Sequence, residues 1–244
     1  QEFAKYTDKY TAEATPAIQN KIGQLITNPV IRNIIGQTTS SINLRRAMDE
    51  KKILLINLSK GKIGEENSSL IGSMLVTKLY LAAMTRVDLP FYERTHFYLY
   101  VDEFQNFATP SFANILSEAR KYGLCLTLAH QYVTQLDETV RDAIFGNVGT
   151  MVVFRIGGAD GEVFEREFAP EIMTQDFVNA PFAHIYVRLM IDGLTSRPFS
   201  ATTLPPIPQP VFSYKEQVIE SSRKKYGTAR AKVTEHIRQW WQPI

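Results

Sequence analysis

The segment Phe97-Tyr-Leu-Tyr-Val-Asp-Glu-Phe104 constrains the fold more than any other stretch of the chain. Its apolar run, Tyr98 to Val101, is too short for a helix and rich in strand-forming residues, so it predicts a strand buried on both faces, as in parallel sheets. Asp102 and Glu103 follow at the strand end, where open α/β sheets bind their ligands. The pair therefore favours a ligand site, but a turn or a helix N-cap would also explain it, because Asp accepts hydrogen bonds from free backbone N–H groups.

Further apolar runs alternate with helical patterns along the chain. Three more runs predict strands, at Lys52–Leu58, Leu124–Ala129 and Met151–Ile156. Helical patterns separate them, at Ser68–Arg86, Thr109–Tyr122, Glu138–Phe145 and Ala159–Phe168. This alternation predicts an α/β fold, with a mostly parallel sheet covered by helices on both faces.

The two ends of the chain differ from its middle. Residues 1–50 have a helical pattern and form a predicted lead-in segment, and residues 51–212 form the predicted α/β domain. Near the end of that domain, two runs joined by Asp192-Gly193 predict a β-hairpin, because Asp-Gly supplies the positive φ angles of a tight turn. Residues 213–244 predict a helical tail interrupted near Gly227.

Composition excludes several classes of protein. Cys125 is the single cysteine, which excludes an internal disulfide and fits a reducing compartment; Cys and His are too scattered for a zinc site. No apolar run approaches the roughly 18 to 20 residues of a membrane helix, so we expect a soluble segment. Residues 213–244 carry seven Lys or Arg against three Glu, so the formal net charge of this tail is about +4 and that of the remaining residues is about −2. The tail is either a surface for DNA or a protein partner, or a solvated helix face.

Three further polar residues stand near predicted strand or helix ends. Arg120 lies in the last turn of the predicted helix that follows the acidic strand, Gln131 just past the third predicted strand and Arg155 at the end of the fourth. Each has an ordinary structural explanation, since a cation complements a helix C-terminus and loop amides are usually solvated. In a parallel sheet, however, the acidic pair, Gln131 and Arg155 would emerge at one edge.

The runs Tyr100-Val-Asp-Glu-Phe-Gln-Asn-Phe107, Ala119-Arg-Lys-Tyr-Gly123 and Ala129-His-Gln131 resemble the hexameric RecA-type DNA pumps of the HerA/FtsK group. Within that group the chain is most similar to the coupling proteins of conjugation and type IV secretion, of the TraD/TrwB kind. The resemblance covers roughly residues 40–205.

The resemblance implies a RecA-like (P-loop NTPase) fold and an ATPase that translocates DNA. Asp102 would be the Walker B residue for Mg²⁺, Glu103 the catalytic carboxylate and Gln131 the sensor of the ATP γ-phosphate. Arg120 would match an arginine finger that reaches a neighbouring subunit, and Arg155 a second trans or sensor candidate. The implied partners are DNA, a ring of copies of the chain, the secretion machinery and a relaxase or other secreted substrate.

No Gly-x-x-x-x-Gly-Lys-Ser/Thr loop occurs in the sequence. We therefore expect the phosphate-binding half and any membrane helices to lie on other sequence, and this chain alone to be inactive. The resemblance implies a place at the cytoplasmic face of a bacterial inner membrane. Two alternatives stay open: a secretion ATPase of the same fold that moves protein or assembles pili, and a non-catalytic substrate-binding platform. A metal-dependent hydrolase is disfavoured, because no further acids or histidines cluster in the sequence.

Overall fold

The computed structural model describes Pro16, Gly23, residues 26–110 and residues 112–240. The described residues fall into two compact units. The first contains the described residues up to Asn43, residues 56–68 and those from 211 onward; the second contains Leu44–Leu55 and Ser69–Pro210. The predicted apolar stripe near residues 18–26 lies, apart from Ile26, outside the described residues.

The first unit is helical. Helix α1 (Pro29–Ile35) begins as its sequence predicts: Pro29 is in the first turn, and the Asn28 side chain accepts hydrogen bonds from the N–H groups of Val30 and Ile31. The tail forms two helices separated near Gly227, as predicted. Helix α9 (Lys215–Tyr226) has no buried residue, whereas α10 (Arg230–Trp240) buries Val233.

The remaining elements are given in chain order. The helices before the first strand are α2 (Leu44–Asp49), α3 (Lys60–Ile63) and α4 (Glu65–Met84). The later helices are α5 (Phe112–Glu118), α6 (Glu138–Asn147), α7 (Gly158–Phe168) and α8 (Thr174–Val178). The strands are β1 (Phe97–Val101), β2 (Leu124–Leu128), β3 (Met151–Val153), β4 (His184–Arg188), β5 (Met190–Ile191), β6 (Leu194–Thr195) and β7 (Phe199–Thr202).

Strands β1 and β2 pair in parallel, in a register that joins Phe97 to Leu124 and Val101 to Leu128. The parallel pairing of the acidic strand is therefore confirmed. One face of the pair packs in a core with α4, α5 and α6, whose buried members include Leu79, Ala83, Phe112, Ile115 and Val140.

The prediction that β1 is buried on both faces is wrong. Tyr98 is 59% exposed and Tyr100 is 72% exposed, while Val101, on the opposite face, is 8% exposed. Among the described residues no layer covers the tyrosine face, so β1 alternates between a buried and an open side. This alternation is the period of two that a strand imposes on its side chains.

The predicted strand at Lys52–Leu58 is absent: none of these residues belongs to a strand. Ile53 is 87% exposed and Leu55 is 82% exposed, while Leu54 and Leu58 are half-buried, so this apolar run is not the buried strand that was predicted. A strand requires a neighbour for its backbone hydrogen bonds, and no described strand pairs with this segment.

The later strands form an antiparallel sheet in the order β3-β4-β7. The predicted hairpin is confirmed, because β5 pairs with β6 across Asp192-Gly193 and β4 pairs with β7. Strand β3, which the sequence places in a parallel sheet, instead pairs antiparallel with β4. A second core lies against this sheet and contains Met151, Val153, Phe168, Ile172 and Phe177. A RecA-like sheet for the whole domain stays a prediction.

Helix α4 and the 3₁₀ turn after it form a single stretch, Glu65–Asp88, which is long and apolar enough to cross a membrane by length and composition, since its most apolar 18 residues have a mean hydropathy of 1.3. The prediction from uninterrupted apolar runs overlooked this stretch, because its averaged hydropathy stays high although Ser, Gly, Thr and Lys78 interrupt it. The core helix of a globular domain meets the same criteria, and α4 buries Val76, Leu79 and Ala83.

Candidate functional site

Backbone hydrogen bonds continue between the two chain segments that follow the carboxyl ends of β1 and β2. The Ala129 N–H donates to Val101 O at 2.9 Å, and the Phe104 N–H donates to Ala129 O at 2.9 Å. Phe104 is fully buried, with its ring centroid 4.6 Å from that of Phe112. These contacts fix the segment after β1 against the segment after β2, so that Asp102 and Glu103 lie beside Gln131.

Glu103 is the centre of this arrangement. Its Oε1 accepts a hydrogen bond from Gln131 Nε2 at 2.6 Å, and its Oε2 accepts one from Gln105 Nε2 at 2.6 Å. Its backbone is left-handed, with φ 51° and ψ 44°, a conformation unusual for a residue with a side chain. The Glu103 carbonyl accepts from Asn106 Nδ2 at 2.9 Å, which holds the unusual turn in place. Both carboxylate oxygens are thus oriented by amides.

Asp102 precedes Glu103 and is exposed. Its Oδ1 accepts the Glu103 N–H at 3.0 Å. Within the described ranges its second oxygen has no hydrogen-bond partner. A free carboxylate oxygen fits Mg²⁺, which proteins usually hold through one or two carboxylates together with phosphate oxygens and water. No group of three or more His, Cys, Asp or Glu that would hold a metal by itself occurs among the described residues.

A groove of about 910 Å³ lies between the end of β2 and the segment after β3. Gln131 and Arg155 both line it, so the structure brings two of the predicted site residues to one cavity. Arg155 is exposed and makes no side-chain hydrogen bond or ion pair within the described residues. The apolar wall of the groove includes Leu128, Val152, Phe154, Ile156 and Val178.

His130 and Asp160 also line the groove. Burial lowers the pKa of the His130 imidazole, and the nearby Asp160 carboxylate opposes that shift. The His130 Nδ1 atom is buried without a hydrogen-bond partner in the described structure. Asp160 is 3% exposed and accepts the Thr134 N–H at 3.0 Å, so it fixes the turn that follows Gln131.

Arg120 lies elsewhere. It is exposed in the 3₁₀ turn Ala119–Tyr122, which leads into the amino end of β2. Since β1 and β2 are parallel, Arg120 is on the opposite edge of the sheet from Glu103, about 16 Å away for five strand residues. It makes no ion pair with another described residue. The structure therefore assembles Asp102, Glu103 and Gln131, places Arg155 in the adjoining groove, and leaves Arg120 free on the surface.

Sequence reasoning missed Gln105 and Asn106, which contact Glu103 directly. Both lie in the 3₁₀ turn Phe104–Asn106, and such a tight turn brings side chains two and three residues later back over Glu103. Two amide side chains close behind an acidic pair are the signal in the sequence that would have identified them.

Residues 96–171 match a protein-family model described as the TraM recognition site of TraD and TraG. The match supports the C-terminal region of a conjugation coupling protein. It includes Asp102, Glu103, Gln105, Gln131 and Arg155 within its bounds. No curated protein matches the chain.

Proposed function

We propose that this conjugation coupling protein region is the ATP-hydrolysing part of a ring-forming motor that moves DNA in conjugation or type IV secretion. The observation that carries the proposal is the 2.6 Å contact between Glu103 Oε1 and Gln131 Nε2, next to Asp102 at the shared edge of two parallel strands. Ligands of open α/β sheets bind at this edge.

Each residue at this edge has a role that its geometry supports. Glu103 would orient the attacking water and accept its proton at Oε1. Gln131 would contact the γ-phosphate of ATP and transmit its presence to Glu103, with which it shares a hydrogen bond. Asp102 would hold Mg²⁺, which when bound neutralises charge on the phosphate oxygens.

The phosphate-binding loop would come from sequence that precedes this region in a longer protein. The groove lined by Gln131 and Arg155 adjoins the proposed site, and Arg155 would face the phosphates of the same nucleotide or of a neighbour. A guanidinium suits this role because charge spreads over three phosphoryl oxygens in the transition state.

Arg120 would act in trans as an arginine finger. It is exposed, unpaired among the described residues and distant from Glu103 of its own chain, which fits a contact with the next subunit's ATP. A residue that reaches forward from every subunit makes heterologous contacts, and these close into a ring such as a hexamer.

Mixed rings test the trans role. Subunits with Arg120→Ala are combined with subunits with Glu103→Gln, each of which is inactive alone. At equal mixing we expect about a quarter of the sites to combine an intact Glu103 with an intact neighbouring Arg120. Absence of any recovered ATP turnover would count against Arg120 acting across subunits.

The motor proposal also implies a transported substrate and a cellular location. The carried substrate would be DNA with a bound relaxase, or another secreted substrate, at the cytoplasmic face of a bacterial inner membrane. The basic side chains of α9, Arg223, Lys224 and Lys225, lie in its exposed last turn and would contact DNA phosphates or the secretion machinery.

ATP turnover in a longer protein that carries the phosphate-binding loop tests the main proposal. We expect turnover to rise with double-stranded DNA and to fall by at least 100-fold in Glu103→Gln. Glu93→Gln, an exposed glutamate before β1, is the matched control and should change neither rate. DNA-independent turnover would favour the protein-secretion ATPase, and phosphodiester cleavage without ATP would favour a nuclease.

A binding platform is the second candidate, because the matching family is described by its recognition of TraM. Under this proposal the matched residues 96–171 would bind a TraM-type protein of the conjugation machinery. Titration of such a protein against the chain measures the affinity directly. Tight binding in a protein with no ATP turnover would favour the platform over the motor.

A further inference from the structure

The Glu103 carboxylate has two amide partners in different surroundings. The hydrogen bond from Gln131 Nε2 to Oε1 is exposed, whereas the hydrogen bond from Gln105 Nε2 to Oε2 is partly buried. Because an ionised carboxylate only accepts hydrogen bonds, both glutamines must present their NH₂ groups to it. Water or a phosphate oxygen competes readily for the exposed donor and less readily for the buried one.

Gln105 is itself held by a rigid turn. It lies between Phe104, which is fully buried, and Asn106, whose carbonyl accepts a hydrogen bond from Ser69 Oγ of α4. The Asn106 N–H donates to Glu103 O at 3.0 Å, so the turn is closed at both ends. The Gln105 amide therefore approaches Glu103 from a fixed backbone.

The orientation of the Gln105 amide leaves its own acceptor unsatisfied. Gln105 Oε1 is buried and has no hydrogen-bond partner within the described residues. A buried acceptor without a donor destabilises a fold. If Gln105 contributed only to stability, an apolar side chain of the same size would be more favourable than this amide. The unsatisfied Oε1 therefore indicates a functional role for the other amide atom, Nε2, which donates to Glu103.

We propose that Gln105 is a positioning residue that holds Glu103 Oε2, so that Oε1 is the oxygen that meets the attacking water. This inference rests on the proposed function. When Gln131 turns to the γ-phosphate, the exposed contact is the one given up, and Gln105 alone prevents the carboxylate from rotating. Gln105 touches neither nucleotide nor water and acts only through Glu103.

The decisive variant is Gln105→Met in the longer protein that carries the phosphate-binding loop. Methionine keeps the length of the side chain, removes the donor to Glu103 and removes the unsatisfied Oε1. We expect kcat for ATP to fall about 10-fold to 100-fold, because small misplacements of a reacting group have effects of this order, and KM for ATP to stay within about 2-fold. The urea midpoint of unfolding should stay equal or rise.

Gln105→Ala and Gln135→Ala complete the test. Gln105→Ala also lacks the donor and should lose as much kcat as Gln105→Met, although its smaller side chain also loses packing. Gln135 is an exposed glutamine in the 3₁₀ turn Val133–Gln135, and its alanine variant should retain wild-type values.

The outcomes separate this inference from the proposed function. A Gln105→Met protein with wild-type kcat, in a motor that Glu103→Gln inactivates, would overturn the role of Gln105 and leave the motor intact. A lower urea midpoint with unchanged kcat would identify Gln105 as structural. Full turnover in Glu103→Gln would overturn both proposals.

Discussion

Arg86 joins the amino ends of β1 and β2, and its replacement by methionine tests how that end of the parallel pair is held. The Arg86 side chain is fully buried. Its Nη1 donates to Tyr122 O at 3.1 Å and its Nη2 donates to Thr95 O. Arg86 Nε lies 3.2 Å from Asp49 Oδ1, an ion-pair distance without hydrogen-bond alignment. One side chain therefore connects the lead-in of β1 with the turn before β2.

The magnitude follows from what Arg86→Met leaves behind. Two carbonyls lose a charged donor, and hydrogen bonds to charged groups contribute about 1.5 to 3 kcal/mol each. Asp49 is not left unpaired, because Arg45 Nε lies 2.5 Å from its other oxygen. Burial lowers the pKa of Arg86, so releasing the cation from its buried site recovers part of the loss. We expect a net decrease of about 3 kcal/mol in the free energy of unfolding.

Urea unfolding followed by circular dichroism measures this loss. Arg94→Met is the matched control: Arg94 also donates to carbonyls, those of Leu89 and Lys121, but it is only partly buried. Water can replace its hydrogen bonds, so we expect a loss of about 1 kcal/mol. Equal losses in the two variants would refute the reasoning that burial makes the Arg86 contacts stronger.

Three further predictions concern stability. Gly123→Ala should lose about 1 to 2 kcal/mol in the same urea assay, because Gly123 has φ 69° and a Cβ there would lie 3.3 Å from two backbone oxygens; an unchanged midpoint would contradict this. Phe104→Ala should lose about 3 to 5 kcal/mol and Phe182→Ala almost nothing, since the rings are 0% and 96% exposed; similar losses would be inconsistent with the described core. The lowered pKa of His130 means that folding favours its neutral form, so its contribution to stability is complete above the ordinary value of 6.5 and declines as the pH falls below it. His130→Gln should therefore show a shallower loss of unfolding free energy between pH 7 and 5, and identical slopes would argue against a buried neutral imidazole.

Local signals in the sequence predicted local structure well. Asn28-Pro29 predicted the start of α1, and the left-handed Gly123 ends the turn before β2 where the sequence places a helix end. The apolar run before Asp102 correctly predicted β1, because a short run of strand-forming residues that ends at polar residues can be recognised without knowing which distant segment pairs with it. The position of Gln131 beside Glu103 followed from the parallel arrangement of the two strands.

Pairing between distant segments was harder to predict. The run Lys52–Leu58 is as apolar as β1, yet it forms no strand, because a strand depends on a neighbour that composition does not identify. The prediction of parallel pairing for β3 was wrong for a similar reason, since an apolar run pairs equally well in either direction. The contact of Gln105 with Glu103 depends on a left-handed residue, whose conformation the sequence does not specify.

The most direct test of the central claim, that Glu103 and Gln131 act together on one phosphate, is the kcat of a double variant in the longer protein. Each of Glu103→Gln and Gln131→Leu should reduce kcat strongly on its own. Because their side chains share a 2.6 Å hydrogen bond, the double variant should be scarcely slower than Glu103→Gln. Losses that multiply in the double variant would mean that the two residues act independently, and would contradict the account.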